Sequence, residues 1–219
     1  MNRDVIITDD GSSTVYNKEL DECYHSTHGA ISESLHVFIR NGLQQINLTE
    51  INVFEIGFGT GLNAFLSAIY AHDHKIRINY ATIEKYPLEA TLVNELNYSR
   101  NLGFHEIFKT IHSTSWNKTQ KITLFFELLK INQDFINFDF NQIVNPDIVF
   151  FDAFSPSKQA EMWQPLLFEK IYNLLKTNGI LVTYAAAGLV KNALRQAGFQ
   201  VKRLQGPPGK HHMIMAKKI

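Results

Sequence analysis

The sequence predicts an α/β fold around a mostly parallel sheet, and three observations predict it. Short apolar segments alternate with amphipathic ones from residue 51 onward. An apolar run at 53–56 enters a turn with Gly57, Gly59 and Gly61 and leaves it as a helix-like segment at 62–71. The last two strand-like segments flank Gly206-Pro207-Pro208-Gly209, a turn signal that predicts an antiparallel hairpin.

The elements follow in order. Segments 5–8 and 14–16 flank Asp9-Asp10-Gly11-Ser12 and read as a β-hairpin. Residues 20–45 are polar and read as helical or mixed. Strands are expected at 51–56, 78–83, 122–129, 147–151, 179–184, 199–205 and 211–217, seven in all. Helices are expected at 62–71, 87–98, 161–176 and 188–197. Short apolar strands separated by helices are the signature of a parallel sheet.

A chain of 219 residues fits one α/β domain, at 49–219, with a small N-terminal extension at 1–48 that contributes to the substrate and cofactor pocket. Lys and Arg number 21, as do Asp and Glu, so no strong overall electrostatic footprint for nucleic acid is expected. A local basic face stays open. Cys23 is the sole cysteine, which excludes an intrachain disulfide and a cysteine-based zinc site. His25-x2-His28 and His211-His212 are the close histidine pairs, with no further ligands at a recognised spacing, so no metal is expected. The N-terminus lacks a basic-then-apolar signal, and no apolar run approaches the roughly 18 residues of a membrane span. A cytoplasmic protein without membrane contact is expected.

The glycine turn points to a nucleotide-like cofactor, because glycine admits positive φ and lets backbone lie close to a ligand. Dinucleotide turns read G-x-G-x-x-G, which would need glycine at position 62, where the chain has Leu62. It reads acidic-x-G-x-G-x-G from Glu55 instead. Glu84 ends the second strand about 20 residues on, where a carboxylate can accept both hydroxyls of a ribose; by itself it fits a surface position as well. Asn63 either meets the cofactor or starts the helix by satisfying its own backbone. Asp152 ends the buried run Ile-Val-Phe-Phe at the strand edge where active-site groups gather. It is placed to orient an attacking amine and accept its proton, or to cap the next segment.

The turn resembles the S-adenosylmethionine (SAM) turn of class I methyltransferases, which have a Rossmann-like, seven-stranded, mostly parallel sheet ending in an antiparallel hairpin. That resemblance implies SAM as cofactor, held by Glu55, Gly57, Phe58, Gly59, Gly61, Asn63, Glu84 and Lys85. SAM carries a sulfonium and no phosphate, which suits an acidic residue at the turn. Aminopropyltransferases of the spermidine synthase type share a related fold, but their Gly-Gly-Gly-Asp-Gly turn is replaced here by one with Phe58 and Thr60. A non-catalytic module that binds SAM or tRNA is a further alternative, against which Asp152 argues.

A narrower resemblance runs nearly the whole chain. The segment Asp147-Ile-Val-Phe-Phe-Asp-Ala-Phe-Ser-Pro156 through Met162-Trp163 is similar to a block of the MnmC-type tRNA methyltransferase family. So are Tyr24-His25-Ser26, the Phe-Gly-Thr-Gly-Leu-Asn turn at 58–63, Glu84-Lys85-Tyr86-Pro87-Leu88, and Gly206 to Met213. This resemblance implies methyl transfer from SAM to the primary amine of 5-aminomethyl-2-thiouridine at the tRNA wobble position. It implies Asp152 as proton acceptor and Tyr24, His25, Phe154, Pro156 and Lys210 on the substrate side. Bifunctional members carry a flavin-dependent oxidase domain as well; this chain stops at Ile219, so the oxidase is expected to be separate. Some members carry an acidic residue on the adenine side around 129–132. Here Lys130 stands in that stretch and Asp134 follows four residues on. Phosphate contacts need Lys and Arg, and Lys191, Arg195, Lys202, Arg203, Lys210, Lys217 and Lys218 cluster late in the chain. For any one of them a solvated charged face is the more ordinary reading.

Overall fold

The structure is a computed structural model that describes residues 2–219; Met1, within the expected N-terminal extension, lies outside the described residues. Strands β1 (Arg3–Ile7), β2 (Ser13–Asn17) and β3 (Glu22–Cys23) form a small antiparallel sheet in that order. Helix α1 (Ala30–Ser34) runs on into a π-helical turn, Leu35–Arg40, and a 3-10 turn, Leu43–Gln45. The predicted hairpin is there, one or two residues longer at each strand.

The main sheet is assembled from β4 (Glu50–Ile56), β5 (Arg77–Ile83), β6 (Thr119–Lys121), β7 (Phe126–Ile131), β8 (Ile148–Phe151), β9 (Ile180–Thr183), β10 (Gln200–Gln205) and β11 (His212–Lys217). Their order is β10-β11-β9-β8-β4-β5-β7-β6. The inner strands β7, β5, β4, β8 and β9 are parallel, and β11, β10 and β6 run antiparallel to their neighbours. The helices are α2 (Leu62–His74), α3 (Ala90–Glu95), α4 (Tyr98–Leu102), α5 (His105–Ser113), α6 (Pro165–Leu174) and α7 (Gly188–Gln196).

Strands β8 and, up to Thr183, β9 are apolar because both faces of the sheet are covered there. All four residues of β8 are buried, and successive side chains go to opposite faces. Phe150 packs with Val37, Phe65 and Tyr80 on one side, and Phe151 with Trp163, Phe168 and Leu194 on the other. Full burial of one such ring stabilises by roughly 1.5–3 kcal/mol. Val15, Ala30 and Phe38 of the N-terminal segment join the same buried cluster as Phe65 of α2, so this segment has no separate core.

Strand β4 pairs with β5 on one side and β8 on the other. The chain winds outward from β4 to β7, then returns to β8. Such a reversal opens a crevice beyond the carboxyl ends of the strands, and the glycine turn and Asp152 both sit there.

Three expectations need correction. The strand expected at 122–129 is a β6–β7 hairpin, with Ile122 and Thr123 N–H groups closing a turn on the Phe126 carbonyl and Leu124 exposed. The helix expected at 87–98 is α3 and α4, and α5 was not foreseen; only Phe108 and Ile111 of its nine residues are buried. The helix expected at 161–176 is a 3-10 turn, Ala160–Trp163, then α6, because Pro165 has no N–H for a helix interior but fits a first position.

Candidate cofactor and catalytic site

The glycine turn holds its shape because side chains are excluded from it. Gly57 has φ +95°, and a Cβ there would come within 2.5 Å of the Asp152 carbonyl oxygen. Gly61, at the start of α2, has φ +72°, with His112 and Phe58 in the way of any Cβ. The turn therefore lies against the β8 end on one side and the α5 end on the other.

A cavity of about 350 Å³ opens over this turn. Gly57, Phe58, Gly59, Asn63, Glu84, Lys85, Tyr24, His25, Asp152 and Phe154 line it, so ten of the expected site residues converge. Glu84 is held from both oxygens: Oε2 accepts the Gly59 N–H at 3.1 Å and Oε1 the Tyr86 N–H at 2.8 Å. Its remaining lone pairs suit a diol. Lys85 pairs with Asp134 at 2.9 Å, and Asp134 also accepts the Ile136 N–H.

Asp152 follows β8, and its N–H extends the ladder to the Ile56 carbonyl at 2.9 Å. Its Oδ2 accepts a hydrogen bond from Asn63 Nδ2 at 2.8 Å. Burial, then the Glu33 carboxylate, pushes the carboxyl up to about 7, against the Asn63 hydrogen bond and the Lys210 ammonium. A group poised near neutrality suits proton transfer. Tyr24 and Phe154 meet edge to face, 4.9 Å between centroids, as an aromatic wall. His25 is buried between Thr14 and Thr60, and burial pushes it down to about 4, so it stands neutral.

Four expected site residues are placed elsewhere. Glu55 is fully buried beneath the turn and accepts from Thr82 Oγ1 at 2.7 Å; it does not line the cavity. It sits on a central strand with a neighbour on either side, and burial pushes its carboxyl up to about 8. Gly61 shapes the helix start without reaching the cavity. Pro156 does not line the cavity, although Phe154 before it and Lys158 after it do. Lys210 is engaged by Glu33 at 2.5 Å and lies 3.9 Å from the centre of the Tyr184 ring, outside the cavity lining. Of the two residues weighed for the adenine side, Lys130 is turned away, donating to the Ile111 and His112 carbonyls, while Asp134 lines the cavity.

Sequence reasoning missed how the loop after Asp152 is held. Glu22 of β3 accepts both the N–H and the hydroxyl of Ser155, at 3.2 and 3.0 Å. Tyr184 donates to the Ala153 carbonyl at 2.9 Å, and the Trp163 indole to the Phe154 carbonyl at 2.8 Å. Glu22 and Ser155 are 133 residues apart, and no local pattern links them.

The donor set fits SAM. Backbone free of Cβ at Gly57 and Gly59, a carboxylate for a ribose, an apolar wall at Phe135 and Ile136, and an acid at the far end share one cavity. Its size is within the range of small-molecule sites, about 300–1,000 Å³. Fold and site together define a nucleoside-cofactor-binding transferase of the α/β class. The chain belongs to the S-adenosyl-L-methionine-dependent methyltransferase family, whose model matches residues 97–219.

The resemblance to MnmC-type proteins holds in the comparisons. A tRNA 5-methylaminomethyl-2-thiouridine biosynthesis bifunctional protein MnmC from Cupriavidus metallidurans is 29% identical over 97% of this chain and 33% of its own length. The protein of that name from Legionella pneumophila is 30% identical over 92% of this chain and 34% of its own. This chain thus spans about a third of the length of these curated relatives. The crystal structure of MNMC2 from Aquifex aeolicus superposes with a TM-score of 0.81 at 25% identity, covering 98% of this chain and 69% of that one.

Proposed function

We propose that this protein methylates the primary amine of 5-aminomethyl-2-thiouridine at the wobble position of tRNA, giving 5-methylaminomethyl-2-thiouridine. The observation that carries the chemistry is Asp152, fixed by Asn63 at the cavity beside the glycine turn. SAM, when bound, supplies an electrophilic methyl group on its sulfonium. Glu84, Asp134 and the Gly57–Gly59 backbone hold it. Asp152 orients the amine and accepts the proton that the nitrogen must shed. Holding donor and amine in one cavity supplies much of the rate by proximity.

The extension 1–48 acts as the substrate-side wall, through Tyr24 and His25, and pins the Asp152 loop through Glu22. Tyr24 and Phe154 offer the aromatic surface that an unstacked uridine needs. The tRNA identity of the amine is supported by the names of the relatives. In this reading a separate flavin-dependent oxidase supplies the aminomethyl group, and the protein works in the cytoplasm. Among the described residues no helix is long and apolar enough to cross a membrane.

The test is incubation with labelled SAM and tRNA carrying 5-aminomethyl-2-thiouridine, then digestion to nucleosides. Labelled 5-methylaminomethyl-2-thiouridine is the expected product. Intact SAM binding with no label in that nucleoside overturns the proposal.

A further inference from the structure

A second cavity, of about 490 Å³, adjoins the first and shares Phe58 and Gly59 with it. The chain between β5 and β7 builds its other walls, from α3, α4, α5 and Trp116. Nothing in the methyl-transfer chemistry uses it.

Three observations bear on what it holds. Its walls are aromatic: Phe58 meets Trp116 edge to face at 5.7 Å, and Phe108 lines it too. Two basic side chains line it with no carboxylate partner among the described residues, Lys130 buried and His112 half-buried. Lys130 is 1% exposed, donates to the Ile111 and His112 carbonyls, and holds its ammonium 5.0 Å from the centre of the Trp116 ring. His112 Nε2 is shielded from solvent, makes no hydrogen bond of ordinary geometry, and faces the Thr60–Gly61 backbone of the glycine turn. Burial pushes His112 down to about 3, so it stands as a neutral imidazole with one donor and one acceptor. Finally, exposed Arg100 and Lys109 stand on the lining, against a single carboxylate, Glu106.

We propose that this cavity is a second ligand site that takes one nucleotide, its base among Phe58, Phe108 and Trp116 and its phosphate at Arg100 and Lys109. Aromatic walls stack any base, and a neutral imidazole pairs with a base edge. The volume suits a ligand of that size. An occupant touches Phe58 and Gly59, and the Gly59 N–H holds Glu84, so the site adjoins the cofactor's own support. The nucleotide is either free in solution or part of an RNA. The proposal stands on the second cavity and does not depend on the identity of the methyl acceptor.

The test uses the full chain saturated with S-adenosylhomocysteine, so that the cofactor part of the first cavity is filled. AMP and UMP in one arm, and an anticodon stem-loop RNA in the other, are titrated by calorimetry. The variants are His112→Phe, which removes the imidazole, Asn94→Trp, which blocks the cavity from an exposed position, and Arg100→Ala. Mononucleotide affinity that falls about tenfold or more in Asn94→Trp and in His112→Phe assigns a free nucleotide. RNA affinity that falls about tenfold in the same two variants, without mononucleotide binding, assigns a nucleotide of RNA. If His112→Phe does not fold, Asn94→Trp carries the readout. RNA affinity lowered by Arg100→Ala alone marks an ordinary surface phosphate contact and overturns the proposal. So does the absence of binding in both arms, or binding that Asn94→Trp leaves unchanged.

Discussion

Asn63 and Asp152 meet at the cavity, Nδ2 of one donating to Oδ2 of the other at 2.8 Å. This bond ties the first turn of α2 to the end of β8 across 89 residues of sequence. In the proposed reaction it places Asn63 on the acceptor side of the site.

Removing that bond should therefore damage chemistry more than cofactor binding. A hydrogen bond to a charged group contributes about 1.5–3 kcal/mol, so Asn63→Ala should lower kcat by roughly 10- to 100-fold. Asp152→Ala should abolish methyl transfer. Both should bind SAM nearly as the parent does, as read by calorimetry. Near-parental kcat in Asp152→Ala would remove its assignment as proton acceptor.

The pH dependence of methyl transfer should respond to Glu33 and Lys210, which face Asp152 from α1 and from the turn before β11. Only the ionised carboxylate accepts a proton, so the acid limb of kcat/KM should fall near pH 7, where Asp152 titrates. Glu33 raises the Asp152 pKa and Lys210 lowers it. Glu33→Gln should move the limb to lower pH, and Lys210→Met to higher pH. A limb that stays in place in both variants would show that another group controls it.

Glu84 is the test of the cofactor side. Its two oxygens hold the Gly59 and Tyr86 N–H groups as well as facing the cavity. Glu84→Ala should weaken SAM binding by roughly 10- to 100-fold, from about 1.5–3 kcal/mol per charge-assisted hydrogen bond lost. Unchanged SAM affinity would place the ribose elsewhere.

Glu55 makes a prediction about stability. Its carboxyl titrates near 8 in the folded protein and near its ordinary 4.5 once unfolded. Between those values the unfolded chain has released the proton and the folded one retains it, so stability falls as pH rises through that window and levels off above it. Asp152 acts the same way between 3.8 and about 7. Glu55→Gln, which keeps an acceptor for Thr82, should flatten the decline in thermal midpoint between pH 5 and pH 8. A decline of parental steepness would show that Glu55 ionises freely in the fold.

Much of the fold was legible in the chain. Burial on both faces makes β8 wholly and β9 almost wholly apolar, and that pattern survives in sequence. Segment 122–129 misled because Ile122 and Leu124 look like strand residues, yet the chain turns there to pair β6 with β7. Helix α5 was silent because its apolar stripe is only Ile107, Phe108 and Ile111 wide among polar neighbours.

The sequence by itself determined the glycine turn, the carboxylate of Glu84 at the second strand end and Asp152 at the end of β8. Each depends on neighbours along the chain: positive φ needs glycine, and a buried strand needs apolar residues up to its edge. Only the tertiary structure decided which carboxylate faces the cavity. Glu55 and Asp152 are both acids at the carboxyl end of a parallel strand, but Glu55 lies within the ladder, over Thr82, while Asp152 lies one residue past it, where the strands part. It also decided that Asn63, Glu22 and Tyr184 hold the Asp152 loop, and that a second cavity backs onto the glycine turn. Those relations join residues far apart in the chain, and side-chain packing, which no local pattern encodes, sets them.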